Sequence, residues 1–140
     1  MLKGISHLLS PELLKILMEM GHGDEILLGD ANFPAASHAQ RLVRADGLAI
    51  PALLNAILPL FPLDYTVDFA AVVMLSPAKD PNVWKTYREI LNAHPDGNKP
   101  FLIISKPDFY ERAKKAYTVV ATGEAEKFAN IIIRKGIIVD

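Results

Sequence analysis

The sequence predicts an α/β protein, a single three-layer α/β/α domain over residues 1–140 with a central, mostly parallel or mixed sheet. Three observations lead there. Short apolar runs of strand length alternate with longer stretches of helical spacing. A hydrophobic content of 51% over 140 residues is enough for one core. No internal repeat, low-complexity tract or linker divides the chain.

Ser10-Pro11-Glu12 opens the first helix: Ser is a favoured N-cap, Pro a favoured first helical residue, and Glu suits the positive end of the dipole. Leu13, Leu14, Leu17, Met18 and Met20 follow at helical spacing, and Gly21 is a natural terminator. Glu25 to Asp30 is apolar in its middle and bounded by turn residues, hence a buried strand, and Ala31-Asn32-Phe33-Pro34 is a loop. Ile50 to Leu60 reads as a Pro-initiated helix and Phe69 to Leu75 as a buried strand. Pro81 to Ala93 forms a helix opened by Asp80 and carrying Trp84 and Tyr87. His94-Pro95-Asp96-Gly97-Asn98 is a strong turn signal. A strand over Phe101 to Ile104, a helix over Pro107 to Ala116 and a strand over Tyr117 to Ala121 come next. A polar connection from Gly123 to Lys127 leads to the last β-branched strand, Asn130 to Arg134.

Fifteen Lys and Arg against sixteen Asp and Glu leave a formal net charge of -1, so no single-sign field attracts nucleic acid or anionic lipid. Cysteine is absent, which removes disulfides, thiolate metal sites and thiol nucleophiles, and fits a cytoplasmic protein. The start of the chain lacks the apolar run of a secretory signal. The most apolar stretch, Leu48 to Leu63, is interrupted by Pro51, Pro59 and Pro62 and is shorter than the ~20 residues a bilayer requires. Chemistry falls to His, carboxylates, amides, Lys, Arg and Tyr.

Among these, Gly21-His22-Gly23-Asp24 stands out. A His between two glycines, after a helix and before a strand, is free of side-chain crowding and suits proton transfer near neutral pH. The same residues also make an ordinary helix-end turn. Asp30 ends a strand, where ligand sites of open α/β sheets gather, and where an Asp also serves as a turn former. Asn130 is a polar residue at the start of an apolar strand; its amide suits a hydroxyl, or caps the preceding turn. His22, Asp24, Asp30 and His38 could supply nitrogen and oxygen ligands, but their spacing matches no two-His helical motif, so no metal is expected. Neither a nucleophile elbow, a dinucleotide fingerprint nor a phosphate loop occurs, so no nucleotide cofactor is expected either. Phe109 to Lys115 is read as a largely solvated helical face with Glu111 and Lys115 paired at i,i+4.

Several ordered motifs together are more specific. Ser10-Pro11-Glu12-Leu13-Leu14-Lys15, Glu19-Met20-Gly21-His22-Gly23-Asp24-Glu25-Ile26, Asp30-Ala31-Asn32-Phe33-Pro34-Ala35, Arg44-Ala45-Asp46-Gly47, Phe109-Tyr110-Glu111-Arg112-Ala113-Lys114-Lys115 and Thr122-Gly123-Glu124 run through the whole chain. With them the chain resembles the L-fucose mutarotase branch of the family shared with D-ribose pyranase. The resemblance implies a cofactor-free isomerase that interconverts the α and β anomers of a free monosaccharide, with L-fucose favoured. It implies that His22 is the proton donor, and that Asp30, Lys106, Phe128, Ala129 and Asn130 contact sugar. Two positions depart from the fucose pattern. Lys106 stands where Arg is usual, exchanging a planar fork for a point charge, and Phe128 stands where Tyr is usual, removing a phenol. These departures sustain one alternative, a non-catalytic sugar-binding or transport accessory protein.

The chemistry agrees with the inventory. Mutarotation needs a proton taken from the anomeric hydroxyl and one given to the ring oxygen; one acid/base of middling pKa and a few hydroxyl anchors are enough. A strand over Glu25 to Asp30, rising ~3.3 Å per residue, would hold His22 and Asp30 at its opposite ends. Either the His22 loop folds back or one sugar meets His22 of one subunit and Asp30 of the next. The second arrangement fits family members that assemble as rings, often decamers, and a homo-oligomer with its pocket at the subunit interface is the expectation.

Overall fold

The computed structural model describes residues 1–139, so Asp140, the last residue of the expected domain, lies outside the described residues. The elements are α1 Pro11–Glu19, β1 Glu25–Gly29, α2 Ala35–His38, β2 Leu42–Ala45, α3 Ile50–Ile57, β3 Ala71–Met74, α4 Asn82–Asn92, β4 Phe101–Ile104, α5 Lys106–Lys115, β5 Thr118–Thr122 and β6 Ile131–Arg134. Six strands form one mixed sheet in the order β2-β5-β1-β6-β3-β4. β2, β5 and β1 run parallel, as do β3 and β4, and β6 is antiparallel to β1 on one side and β3 on the other.

Strand alternation divides the apolar residues between two layers. Ile26, Leu28, Val73, Val120, Ile131 and Ile133 face a core closed by α1, α3 and α4, with Leu13, Leu53, Leu54, Trp84 and Tyr87 at its centre. Leu27, Val72, Val119 and Ile132 face the opposite layer, where α2 and α5 contribute Ala35, Phe109 and Ala113. The α/β/α architecture read from the sequence is therefore present. β1 and β5 are buried along their full length, which is why they read as continuous apolar runs rather than alternating ones.

Several local expectations change. Helix α1 starts as predicted, with the Ser10 side chain accepting the Leu13 N–H. Its end is not a left-handed Gly21; instead Met20 is extended, and the Lys135 ammonium donates to the carbonyls of Leu17 and Met20. A cation from across the fold thus satisfies the negative end of the helix that the glycine was expected to close. Asp80 does not cap α4, whose N-cap is Pro81 without a side-chain bond; the Glu126 carboxylate accepts the Val83 N–H instead. The helix from Ile50 stops at Ile57 and tightens into a 3-10 turn at Leu58–Leu60, where Pro59 has no N–H for the ladder. The third strand is shorter than Phe69 to Leu75, spanning Ala71–Met74.

Two elements went unread. β2 is an edge strand in which only Val43 is buried, so it lacks an apolar run, and α2 is a single turn directly after the expected loop Ala31 to Pro34. The Phe109 to Lys115 helix is not a solvated face either. Phe109 and Ala113 are fully buried, and Arg112 grips the buried Glu25 through two bonds of 2.8 and 2.7 Å. Glu111 pairs with Lys114 rather than Lys115.

Candidate functional site

The topology collects the C-terminal ends of β1, β3 and β4 and the start of β6 along one edge of the sheet. Asp30 follows β1 directly, Lys106 opens α5 just after β4, and Phe128 to Asn130 lead into β6. These segments surround a recess of about 280 Å³ lined by Asp30, Lys106, Phe128, Asn130, Tyr110 and Met74 among others. Of the sequence-derived set, Asp30, Lys106, Phe128 and Asn130 therefore meet in one place.

Buried hydrogen bonds fix the floor of the recess. The Asn130 carboxamide oxygen accepts the Asp30 N–H at 2.8 Å, and the Asp30 carboxylate accepts the Asn32 N–H at 2.9 Å. With its oxygen committed, Asn130 keeps its NH₂ for a further acceptor. Burial pushes the Asp30 carboxyl above its ordinary value, against the opposing backbone amides of Asn32, Ala129 and Phe33. Ala129 itself is fully buried and takes part through its backbone, its carbonyl accepting the Tyr87 hydroxyl at 2.7 Å. Phe128 adopts φ 56°, a left-handed conformation uncommon for an aromatic residue. The neighbours on its C-terminal side hold it there: Ala129 pinned by Tyr87, Asn130 by Asp30. On the other wall, Tyr110 packs edge-on against Phe33 and His38, and the Lys106 ammonium lies 5.5 Å from the centre of the Tyr110 ring.

His22 is elsewhere. It precedes β1, so five residues of strand, about 16 Å, separate it from the Asp30 edge. The loop does not fold back. His22 Nε2 lies 3.1 Å from Oδ1 of Asp64, a buried carboxylate that also accepts the Thr66 hydroxyl at 2.7 Å and the Arg134 Nε–H at 2.8 Å. Burial opposes ionisation of Asp64, but Thr66, Arg134 and His22 together outweigh it and hold the carboxyl well below the usual carboxylate range. Gly23, at φ 90°, makes the reversal that brings the chain from His22 into β1, with the Arg134 guanidinium against it. Among the described residues no group of three or more His, Asp or Glu side chains is arranged to hold a metal. His38, one of the ligand candidates, instead packs against the Phe33 and Tyr110 rings.

Asp64, Arg134, Tyr87 and Tyr110 escaped the sequence reading. Asp64 is 42 positions from His22 in the chain, and only folding shows that they meet. Tyr110 belongs to the motif Phe109 to Lys115, whose charged residues mask its position at the recess.

Fold and site together define a class: an α/β/α domain with a small recess at its strand ends, lined by a carboxylate, an amide, an ammonium group and aromatic rings. The sequence model of the RbsD / FucU transport protein family matches residues 3–138, and the chain belongs to that family. It is 49% identical over 140 residues to an L-fucose mutarotase of Haemophilus influenzae, covering 98% of this chain and 97% of the relative. To a fucose mutarotase of Danio rerio it is 51% identical over 148 residues, covering 98% and 94%. The crystal structure of a fucose mutarotase from Streptococcus pneumoniae in complex with L-fucose superposes with a TM-score of 0.93 at 51% identity, covering 99% of this chain and all of that one. Bacillus subtilis RbsD complexed with D-ribose, at 22% identity and a TM-score of 0.77, shares the fold.

Proposed function

We propose that this protein is a monosaccharide mutarotase, a cofactor-free isomerase interconverting the α and β anomers of a free sugar, with L-fucose as substrate. One observation carries the reading: Asp30, Lys106, Phe128 and Asn130 converge on a single recess, in a chain half-identical along its length to a fucose mutarotase crystallised with L-fucose. Asp30 accepts from sugar hydroxyls, Lys106 and the Asn130 NH₂ donate to them, and Phe128 offers an apolar wall to the 6-deoxy methyl. Ring opening moves a proton from the anomeric hydroxyl to the ring oxygen; rotation about C1–C2 and reclosure give the other anomer.

His22 supplies the acid/base function from a neighbouring subunit, so that each pocket combines Asp30 of one copy with His22 of the next. The separation of the two residues along β1 supports this. So does the apolar surface beside the His22 loop: Met18, Leu2 and Ile138 are 84%, 66% and 79% exposed around a groove that includes Gly21 and Met20. On this reading the chain acts as one domain in a homo-oligomeric ring, a decamer, in the cytoplasm. Among the described residues no helix is long and apolar enough to cross a membrane.

Saturation-transfer NMR of anomer exchange on L-fucose, D-ribose and other aldoses tests the activity. Accelerated exchange in the wild type and its loss in His22→Ala is the expected result; equal exchange in both refutes the role of His22. Phe128 and Lys106, both departures from the fucose pattern, favour one second reading, a sugar-binding accessory protein. Calorimetric sugar binding without accelerated exchange would select it.

A further inference from the structure

His22 has two ring nitrogens, and the structure treats them differently. Nε2 faces Asp64 Oδ1 at 3.1 Å, and the Asp64 side chain has no exposed surface. The same Oδ1 accepts the Thr66 hydroxyl and N–H at 2.7 and 3.0 Å, while Oδ2 accepts Arg134 Nε–H at 2.8 Å. An ionised carboxylate with these donors around it only accepts hydrogen bonds. The ring nitrogen pointing at it must then carry a hydrogen, and in a neutral imidazole that leaves the other nitrogen with a lone pair. The His22 side chain remains 43% exposed, so the ring is held from one side and open on the other.

We propose that Asp64 is the positioning residue for His22, holding it as the Nε2–H tautomer, and that Nδ1 is the atom which exchanges a proton with the sugar. The inference rests on the mutarotase reading and deepens it. Nδ1 takes the proton from the anomeric O1–H as the C1–O1 bond gains double-bond character and the C1–O5 bond breaks. The electron pair of that bond stays on O5, and Nδ1–H returns the proton there. Atoms and electrons balance without an oxidant or co-reactant. Reclosure on the other face of C1 runs the same steps backwards. The transient imidazolium keeps its Nε2–H on Asp64, so the charge forms beside a carboxylate already fixed by Thr66 and Arg134 and requires no rearrangement. Arg134 anchors the carboxylate from β6 and also lies 3.6 Å from Glu25, which ties the His22 support to the sheet.

The test combines tautomer spectroscopy with kinetics. In ¹⁵N-labelled wild type at alkaline pH, long-range ¹H–¹⁵N correlations of His22, assigned by their loss in His22→Gln, should show a protonated Nε2 and a bare Nδ1. The opposite pattern overturns the proposal, and this measurement needs no folded Asp64 variant. In Asp64→Ala the ring loses the acceptor that holds its hydrogen on Nε2, so the Nδ1–H tautomer becomes populated. The kcat of anomer exchange should then fall at least tenfold, with KM within twofold of wild type and the His22 correlations showing both tautomers. A folded Asp64→Ala protein that keeps both wild-type kcat and the wild-type tautomer pattern overturns the inference while leaving the mutarotase reading intact, provided His22→Ala is inactive. A wild type that accelerates no sugar overturns the reading itself, and with it the role of Nδ1.

Discussion

Asn130 and Asp30, 100 positions apart, are joined by a buried 2.8 Å bond from the Asp30 N–H to the Asn130 carboxamide oxygen. The bond clamps the start of β6 to the end of β1, and so sets the spacing between the two residues that the proposed site uses to hold sugar hydroxyls.

Breaking that clamp should cost stability as well as affinity. Asn130→Ala leaves the Asp30 N–H buried without an acceptor, a loss of about 1–3 kcal/mol. Urea denaturation should show it directly. Asn130→Asp keeps an acceptor but places a second carboxylate beside Asp30, so it should be destabilised more at pH 7 than at pH 4.

Asp30 and Asp64 make opposite contributions to the pH dependence of stability. Burial raises the Asp30 carboxyl, so its favourable contribution is complete below the ordinary value of 3.8 and is lost as pH rises through its folded value. Asp64 is held low despite its burial, so its contribution is present above 3.8 and is lost as pH falls toward its folded value. Asp30→Asn should therefore gain on the wild type as pH rises from acid to neutral. Asp64→Asn should lose on it over the same change. Denaturation midpoints at pH 3, 5 and 7 distinguish the two signs.

Phe128 combines strain with a missing hydroxyl. Its left-handed backbone costs an aromatic residue about 1–3 kcal/mol, which glycine would not incur. Phe128→Gly should offset much of what it loses in packing while weakening sugar binding, read by calorimetry. Phe128→Tyr should raise the anomer exchange rate several-fold with little change in melting temperature.

The Glu25 and Arg112 pair is a structural clamp at the edge away from the recess. Arg112→Ala leaves the buried Glu25 with Arg134 alone, 3.6 Å away, and should destabilise by about 3 kcal/mol. Arg112→Lys should restore only part of this, because an ammonium cannot reproduce the two-bond fork. Thermal unfolding of both variants checks the order.

Gly23 governs the approach to His22. At φ 90° an alanine should cost about 1–2 kcal/mol and push against the Arg134 guanidinium. Exchange kinetics and melting temperature should therefore both fall in Gly23→Ala.

The layers follow from the order of residues alone. Runs such as Ile26-Leu27-Leu28 and Ile131-Ile132-Ile133 cannot be exposed on either face, and helices with one apolar side must cover them, so an α/β/α sandwich follows from period and composition. The same order also singles out Asp30, Lys106, Phe128 and Asn130, which line one recess, because family motifs and strand-end positions are local properties of the chain. Tertiary structure alone decided what each residue faces. Strand order places Asp30 and Asn130 side by side and His22 at the far edge beside Asp64. It turns Arg112 from a surface cation into the partner of Glu25, and replaces the expected Gly21 cap with Lys135. Each of these contacts joins segments from distant parts of the chain, and their energies depend on burial and distance, which no short window of residues encodes.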